Sequence, residues 1–168
     1  MDNHSYPTNN GSARTLFLVI FAVSFLLLAL GYYLEMVKDI QPCVLCLMQR
    51  GLFFLVMITS LIAAIHQPIS KIRYFYSAIL FIFSMIGAAI AGWQLWLQAS
   101  PATGELCTPV LNSGGDFFST VQGNCAEVSW KFIGISLPGW SLLFFILFAA
   151  MIFTAIFQQR RSKLNPQL

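Results

Sequence analysis

The amino-acid sequence predicts an all-α integral membrane protein: a four-transmembrane-helix bundle carrying one larger loop on its outer side. Three observations lead there. The 168-residue chain is 58% hydrophobic and only 9% charged, far more apolar than a water-soluble domain of its size. Uncharged runs recur at Thr15 to Leu34, Tyr74 to Leu97 and Ile133 to Phe157, each reaching the roughly 20 residues that a helix needs to cross about 30 Å of hydrocarbon. The connections between them are too small for a second domain, which leaves residues 15–157 as one unit between tails at 1–14 and 158–168.

In chain order, the first run is longer than a signal-peptide core, and Gly31-Tyr32-Tyr33-Leu34 does not resemble a small-residue cleavage site. It reads as a retained span at about 15–34. Gly51 to Ile65 has only 15 uncharged residues, so the second span must reach back through Arg50 to about Cys43, giving 43–65. The third covers 74–97. From 98 to 137 the chain turns to loop chemistry (Ser100-Pro101, Thr103-Gly104, Asn112-Ser113-Gly114-Gly115-Asp116, Gly123-Asn124), and the last span occupies about 138–157. Lipid offers no hydrogen bonds to a bare backbone, so all four spans are helices.

Arg14, Lys71, Arg73, Arg160, Arg161 and Lys163 lie in the two tails and the second connection, whereas the other two connections hold only Lys38 and Lys131. That bias places both termini on the cytoplasmic side. Glu35, Asp39, Glu105, Asp116 and Glu127 then fall outside, with Trp93, Trp96, Trp130 and Trp140 near the outer interface and Tyr74 and Tyr76 near the inner one. The net charge of +3 belongs to the cytoplasmic rim and says nothing of nucleic acid.

With this topology Cys43, Cys46, Cys107 and Cys125 all face the oxidising side, where disulfides persist. Four cysteines allow three connectivities, and the short reach between Cys43 and Cys46 favours the local pair, leaving Cys107 and Cys125 to each other. Zinc would need a second cysteine pair or histidines, and the only two histidines, His4 and His66, are placed on the inner side. Two inert structural bridges are the stronger alternative. Yet a Cys43–Cys46 bridge closes so small a loop that it removes little unfolded-state entropy.

Pro42 suits a first helical turn, so the second helix is expected to begin about Cys43. Cys43, Cys46 and Arg50 then project from nearly one face, with Arg50 about 6 Å deeper than Cys46. The helix N-terminus and the guanidinium both favour a thiolate, and an arginine at lipid level is costly unless it has a task, the plain alternative being an anchor that snorkels to the surface. A thiolate and a cation on one lipid-level face fit a small, apolar, reducible partner such as a membrane quinone. At the other end of the device, an exposed loop disulfide between Cys107 and Cys125 is the type that a foreign thiol attacks.

"PCVLC" followed by Arg50, together with "GNCAEVSWKFIGISLPGW" from Gly123 to Trp140 entering the last span, closely resembles the DsbB family of bacterial inner-membrane disulfide bond formation proteins. The resemblance covers about residues 15 to 157 and both cysteine pairs. It implies an enzyme that reoxidises a DsbA-like periplasmic thiol oxidase and passes two electrons to ubiquinone or menaquinone. In that scheme Cys107 forms the mixed disulfide with the partner, Cys125 turns to Cys43, Cys46 is the thiolate that donates to the quinone, and Arg50 contacts the quinone oxygen. The loop between Cys107 and Cys125 is shorter here than in the best-studied members, and a histidine that some members carry beyond the third span has no counterpart around Gln98 to Ser100. Two other readings stand beside this one. A vitamin K epoxide reductase-like oxidoreductase would carry its redox pair late, near the last helix. A non-enzymatic tetraspan protein with structural disulfides would hold cysteines whose state does not respond to quinone.

Overall fold

The computed structural model describes residues 10–38, 43–66, 70–100 and 131–164. Four long helices dominate it: α1 (Asn10–Lys38), α2 (Val44–His66), α3 (Ser70–Ala99) and α4 (Leu137–Leu164). All four contain stretches long and apolar enough to cross a membrane. The expected all-α membrane bundle is therefore the architecture of the chain. Each helix runs past its apolar run, because backbone hydrogen bonding continues until a breaker or a cap stops it, not where lipid ends.

α1 packs along α2, α2 along α3, and α3 most extensively along α4, whereas α1 and α4 share only a thin seam. Lipid is as apolar as a leucine, so hydrophobicity gives these helices no reason to associate, and close packing must do it instead. Small residues mark the seams. Ser24, Ser60, Ser84, Ala63 and Ala91 are almost wholly buried. Ser60 and Ser84 return their hydroxyls to the carbonyls of Met57 and Leu80, at 2.8 Å each, which satisfies them without a partner helix.

At mid-bundle an aromatic sandwich locks three helices together. The Phe145 ring of α4 stacks on Phe53 of α2, with centroids 4.1 Å apart and planes 13° from parallel, and Phe148 meets Phe53 edge-on. Phe145 also lies against Gly87 of α3, where a Cβ would fall 2.4 Å from the ring. Only a glycine admits the ring there. At the end of the bundle where α2 meets α3, His66 Nδ1 and the Tyr76 hydroxyl stand 3.2 Å apart across the short connection.

One element was not expected. Residues read as the tail of the long loop form a two-stranded antiparallel hairpin, β1 (Lys131–Phe132) and β2 (Ile135–Ser136), directly before α4. Its two-residue turn has Ile133 at φ 54° and Gly134 at φ 78°. Positive φ at both central positions is the turn whose twist matches paired strands. Gly134 adopts it freely, whereas Ile133 is a β-branched residue held there against its preference. The hairpin folds back on the first turn of α4, where a Cβ on Gly139 would fall 2.6 Å from Ile135 Cγ2.

Candidate functional site

The Cys-x-x-Cys pair sits at the start of α2. Cys43 immediately precedes the helix, and its carbonyl accepts the Leu47 N–H at 3.1 Å, so it occupies the capping position while Cys46 lies in the first turn. Both sulfurs therefore lie at the positive end of the helix dipole. Cys43 is 4% exposed and Cys46 is half-buried. Their sulfurs approach to 3.3 Å as thiols, with Cys43 donating to Cys46.

A second group reaches them from α3. Gln94 Nε2 donates to Cys43 Sγ at 3.4 Å and to Cys46 Sγ at 3.3 Å. Its Oε1 accepts from Gln49 Nε2 of α2 at 2.7 Å. Gln49 and Gln94 are 4% and 2% exposed, so protein rather than water completes their hydrogen bonding. Cys46 Sγ thus collects two donors, one from Cys43 and one from Gln94, which is the surrounding a thiolate prefers.

Arg50 lies one helical turn beyond Cys46, and its guanidinium is gathered by the end of α1. Nη1 forms an ion pair with Glu35, and Nη2 donates to the Gly31 carbonyl at 3.2 Å. The guanidinium carbon stands 5.2 Å from the centre of the Tyr32 ring, within cation–π range. The two side chains of the ion pair are 21% and 35% exposed, so Arg50 borders the surface without projecting freely from it. Met48, two residues before it, is exposed on the flank of the helix.

The structure thus brings Cys43 and Cys46 together and sets Arg50 a turn away, tied to α1. Cys107 and Cys125 lie outside the described residues. The sequence reading missed Gln49, Gln94 and the Arg50–Glu35 pair. A signal for the glutamines exists: Gln49 stands five residues after Val44, and Gln94 five residues before Ala99, so antiparallel α2 and α3 hold them at matched depth. Glu35 carried a weaker one, as an acid at the end of the first span facing the level of Arg50. Among the described residues no group of three or more His, Cys, Asp or Glu side chains is placed to hold a metal ion.

Residues 13–155 match the family "Disulfide bond formation protein DsbB". The Disulfide bond formation protein B of Hahella chejuensis is 38% identical over 148 residues, covering 82% of this chain and 90% of that protein. That of Stutzerimonas stutzeri is 39% identical over 145 residues, covering 80% and 89%. That of an Azoarcus species is 34% identical over 156 residues, covering 88% and 94%. A match that spans all four helices and the Cys43–Cys46 pair places the chain in the DsbB family of membrane disulfide bond formation proteins.

Proposed function

We propose that the protein is a thiol:quinone oxidoreductase of the bacterial inner membrane. It reoxidises a DsbA-like periplasmic dithiol oxidase and sends the electrons through two cysteine pairs to ubiquinone or menaquinone. The observation that carries this reading is the contact of Cys43 and Cys46 at a helix N-terminus, with the Gln94 amide donating to both sulfurs and a guanidinium one turn further along the helix. Both termini lie in the cytoplasm in this reading, and the cysteines face the periplasm.

Oxidation of the Cys43–Cys46 dithiol to a disulfide releases two electrons and two protons, and a membrane quinone supplies the sink by becoming a quinol. A thiol acceptor is a poor substitute, because DsbA is already among the most oxidising protein couples. The residues fit such a group. Arg50 carries five N–H donors, of which one on Nη1 goes to Glu35 and one on Nη2 to Gly31, leaving donors for a carbonyl oxygen at the bilayer edge. Tyr32 offers an aromatic face beside it. Cys46, with two donors on its sulfur, is the thiolate that faces this group, and Cys43 is the thiol that closes the disulfide behind it. Cys107 takes the incoming partner as a mixed disulfide. Cys125, released as a thiolate by that attack, turns to Cys43 and frees Cys46, the partner's second thiol displaces Cys107 so that the partner leaves oxidised, and Cys107 then recloses on Cys125 and releases Cys43.

Mixing the purified protein with a reduced DsbA-like oxidase and a soluble quinone tests the reading through quinone absorbance. Turnover is expected in the native chain. Cys107→Ser should abolish exchange with the partner while the Cys43–Cys46 dithiol still reduces quinone, because the pairs work in series. Equal loss of both half-reactions would make the loop cysteines structural and return the tetraspan scaffold to favour.

A further inference from the structure

Two buried glutamines in a membrane helix bundle need a reason. An amide taken out of water without partners is costly, and here two stand together beside the redox pair. Their arrangement has a direction. The Gln94 amide is nearly symmetric in shape but opposite in polarity at its two ends, so either end fits against the cysteines. Gln49 decides between them by donating its Nε2–H to Gln94 Oε1 at 2.7 Å, which turns both N–H groups of Gln94 toward sulfur at 3.4 and 3.3 Å.

We propose that Gln94, oriented by Gln49, is a positioning residue that sets the reduction potential of the Cys43–Cys46 pair by donating to its sulfurs more strongly in the thiolate form than in the disulfide. A disulfide sulfur is uncharged and a weak acceptor, whereas a thiolate is a strong one, so the donors gain strength as electrons arrive. The burial of Gln94 and Cys43 amplifies the difference, because little water competes there and the local dielectric is low. The effect makes the pair more oxidising, which favours electron entry from the loop cysteines. It also keeps Cys46 as the anion that must react next. Gln49 touches neither sulfur and acts only through Gln94.

This inference rests on the reading of Cys43–Cys46 as a redox pair, so its test uses neither quinone nor partner. The full chain, with Cys107 and Cys125 replaced by serine and quinone removed, is equilibrated without oxygen in glutathione buffers. The Cys43–Cys46 disulfide takes two electrons and two protons from two glutathiones, which leave as one glutathione disulfide, and mass-tagging of thiols gives the reduced fraction. Gln94→Met, which keeps the bulk and loses the donors, should lower the equilibrium constant for reduction about tenfold, or about 30 mV for a two-electron couple. Gln94→Glu, which presents an acceptor to the thiolate, should move it further the same way. Gln49→Leu should shift it about threefold in that direction, and should add nothing on a Gln94→Met background.

An unmoved midpoint in Gln94→Met, or in Gln49→Leu should Gln94→Met not fold, overturns the proposal and leaves the glutamines as packing. A Gln49→Leu shift that persists without Gln94 overturns the relay. A native pair that never equilibrates with glutathione defeats the redox reading itself, an outcome distinct from either.

Discussion

Two stretches of the same helix hold their neighbours by opposite means. From Cys43 to Arg50, α2 is fixed to α1 and α3 by directed polar contacts: Arg50 to Glu35 and Gly31, Gln49 to Gln94, and Gln94 to both sulfurs. From Phe53 to Ala64, the buried residues are Phe53, Val56, Ser60, Ala63 and Ala64, whose hold on their neighbours is shape. The second stretch relies on close packing, one of the forces that associate helices in lipid. The polar contacts of the first carry a desolvation cost that the second avoids. What they provide is a set of N–H donors fixed around sulfur and a cation fixed at the bilayer edge, which apolar packing cannot supply.

The strongest way to break this contrast is at Arg50. If it meets charge developing on a quinone oxygen, Arg50→Met should lower quinone-dependent turnover roughly ten- to hundredfold, since a charge-assisted hydrogen bond contributes on the order of 1.5 to 3 kcal/mol. Arg50→Lys should recover only part, because it keeps the charge but not the fork that bonds Glu35 and Gly31 together. Kinetics of the three proteins against quinone concentration, with expression level and thermal unfolding measured alongside, separate this from an anchor. An anchor predicts a nearly silent Arg50→Lys and an Arg50→Met that mainly expresses poorly.

The packed stretch should fail in the converse manner. Gly87→Ala places a Cβ 2.4 Å from the Phe145 ring, which is itself stacked on Phe53. Overpacking of this kind costs about 1 to 3 kcal/mol. The thermal midpoint in detergent should fall, while the glutathione equilibrium of Cys43–Cys46 stays where it is. A shift in that equilibrium would show that the two stretches are mechanically coupled and the contrast is false.

How far the sequence reveals this division depends on the length scale of the signal. Uncharged runs of span length state three helices almost directly, because lipid leaves the backbone no other option, and the remaining one follows once its 15 uncharged residues are extended back through Arg50. Cys43, Cys46 and Arg50 were legible for a related reason, as polar chemistry placed where lipid penalises it. Gln49 and Gln94 were penalised likewise, but an uncharged amide makes a weaker exception than an arginine, and their meaning depends on a depth match across two helices far apart in sequence. Glu35 was visible only as an acid beyond a span. Its role needs the crossing of α1 and α2, which no local pattern encodes. The hairpin at 131–136 was hidden because Ile133 is a poor residue for the turn it occupies, and Gly134 alone was too little to announce it.

That turn supplies the smallest test, and its sign is the informative part. A β-branched side chain at φ 54° costs about 1 to 2 kcal/mol relative to a residue at ease there, and asparagine is such a residue. Ile133 is 77% exposed, so in detergent solution its side chain contributes little packing to offset the strain. Ile133→Asn should therefore raise stability in detergent by up to about 1 kcal/mol, read as a small rise in thermal midpoint, with no change in the Cys43–Cys46 equilibrium. The same substitution measured in bilayers asks a further question. Ile133 and Ile135 are exposed apolar side chains on a hairpin that leads straight into a membrane helix. If lipid holds them, the gain seen in detergent should shrink or reverse in the bilayer, because asparagine gives up interfacial contact that isoleucine makes. A gain of equal size in both media would mean that the strained turn answers only to the chain's own packing against the start of α4. The division between polar fixation and shape would then extend, by shape alone, to the edge of the membrane.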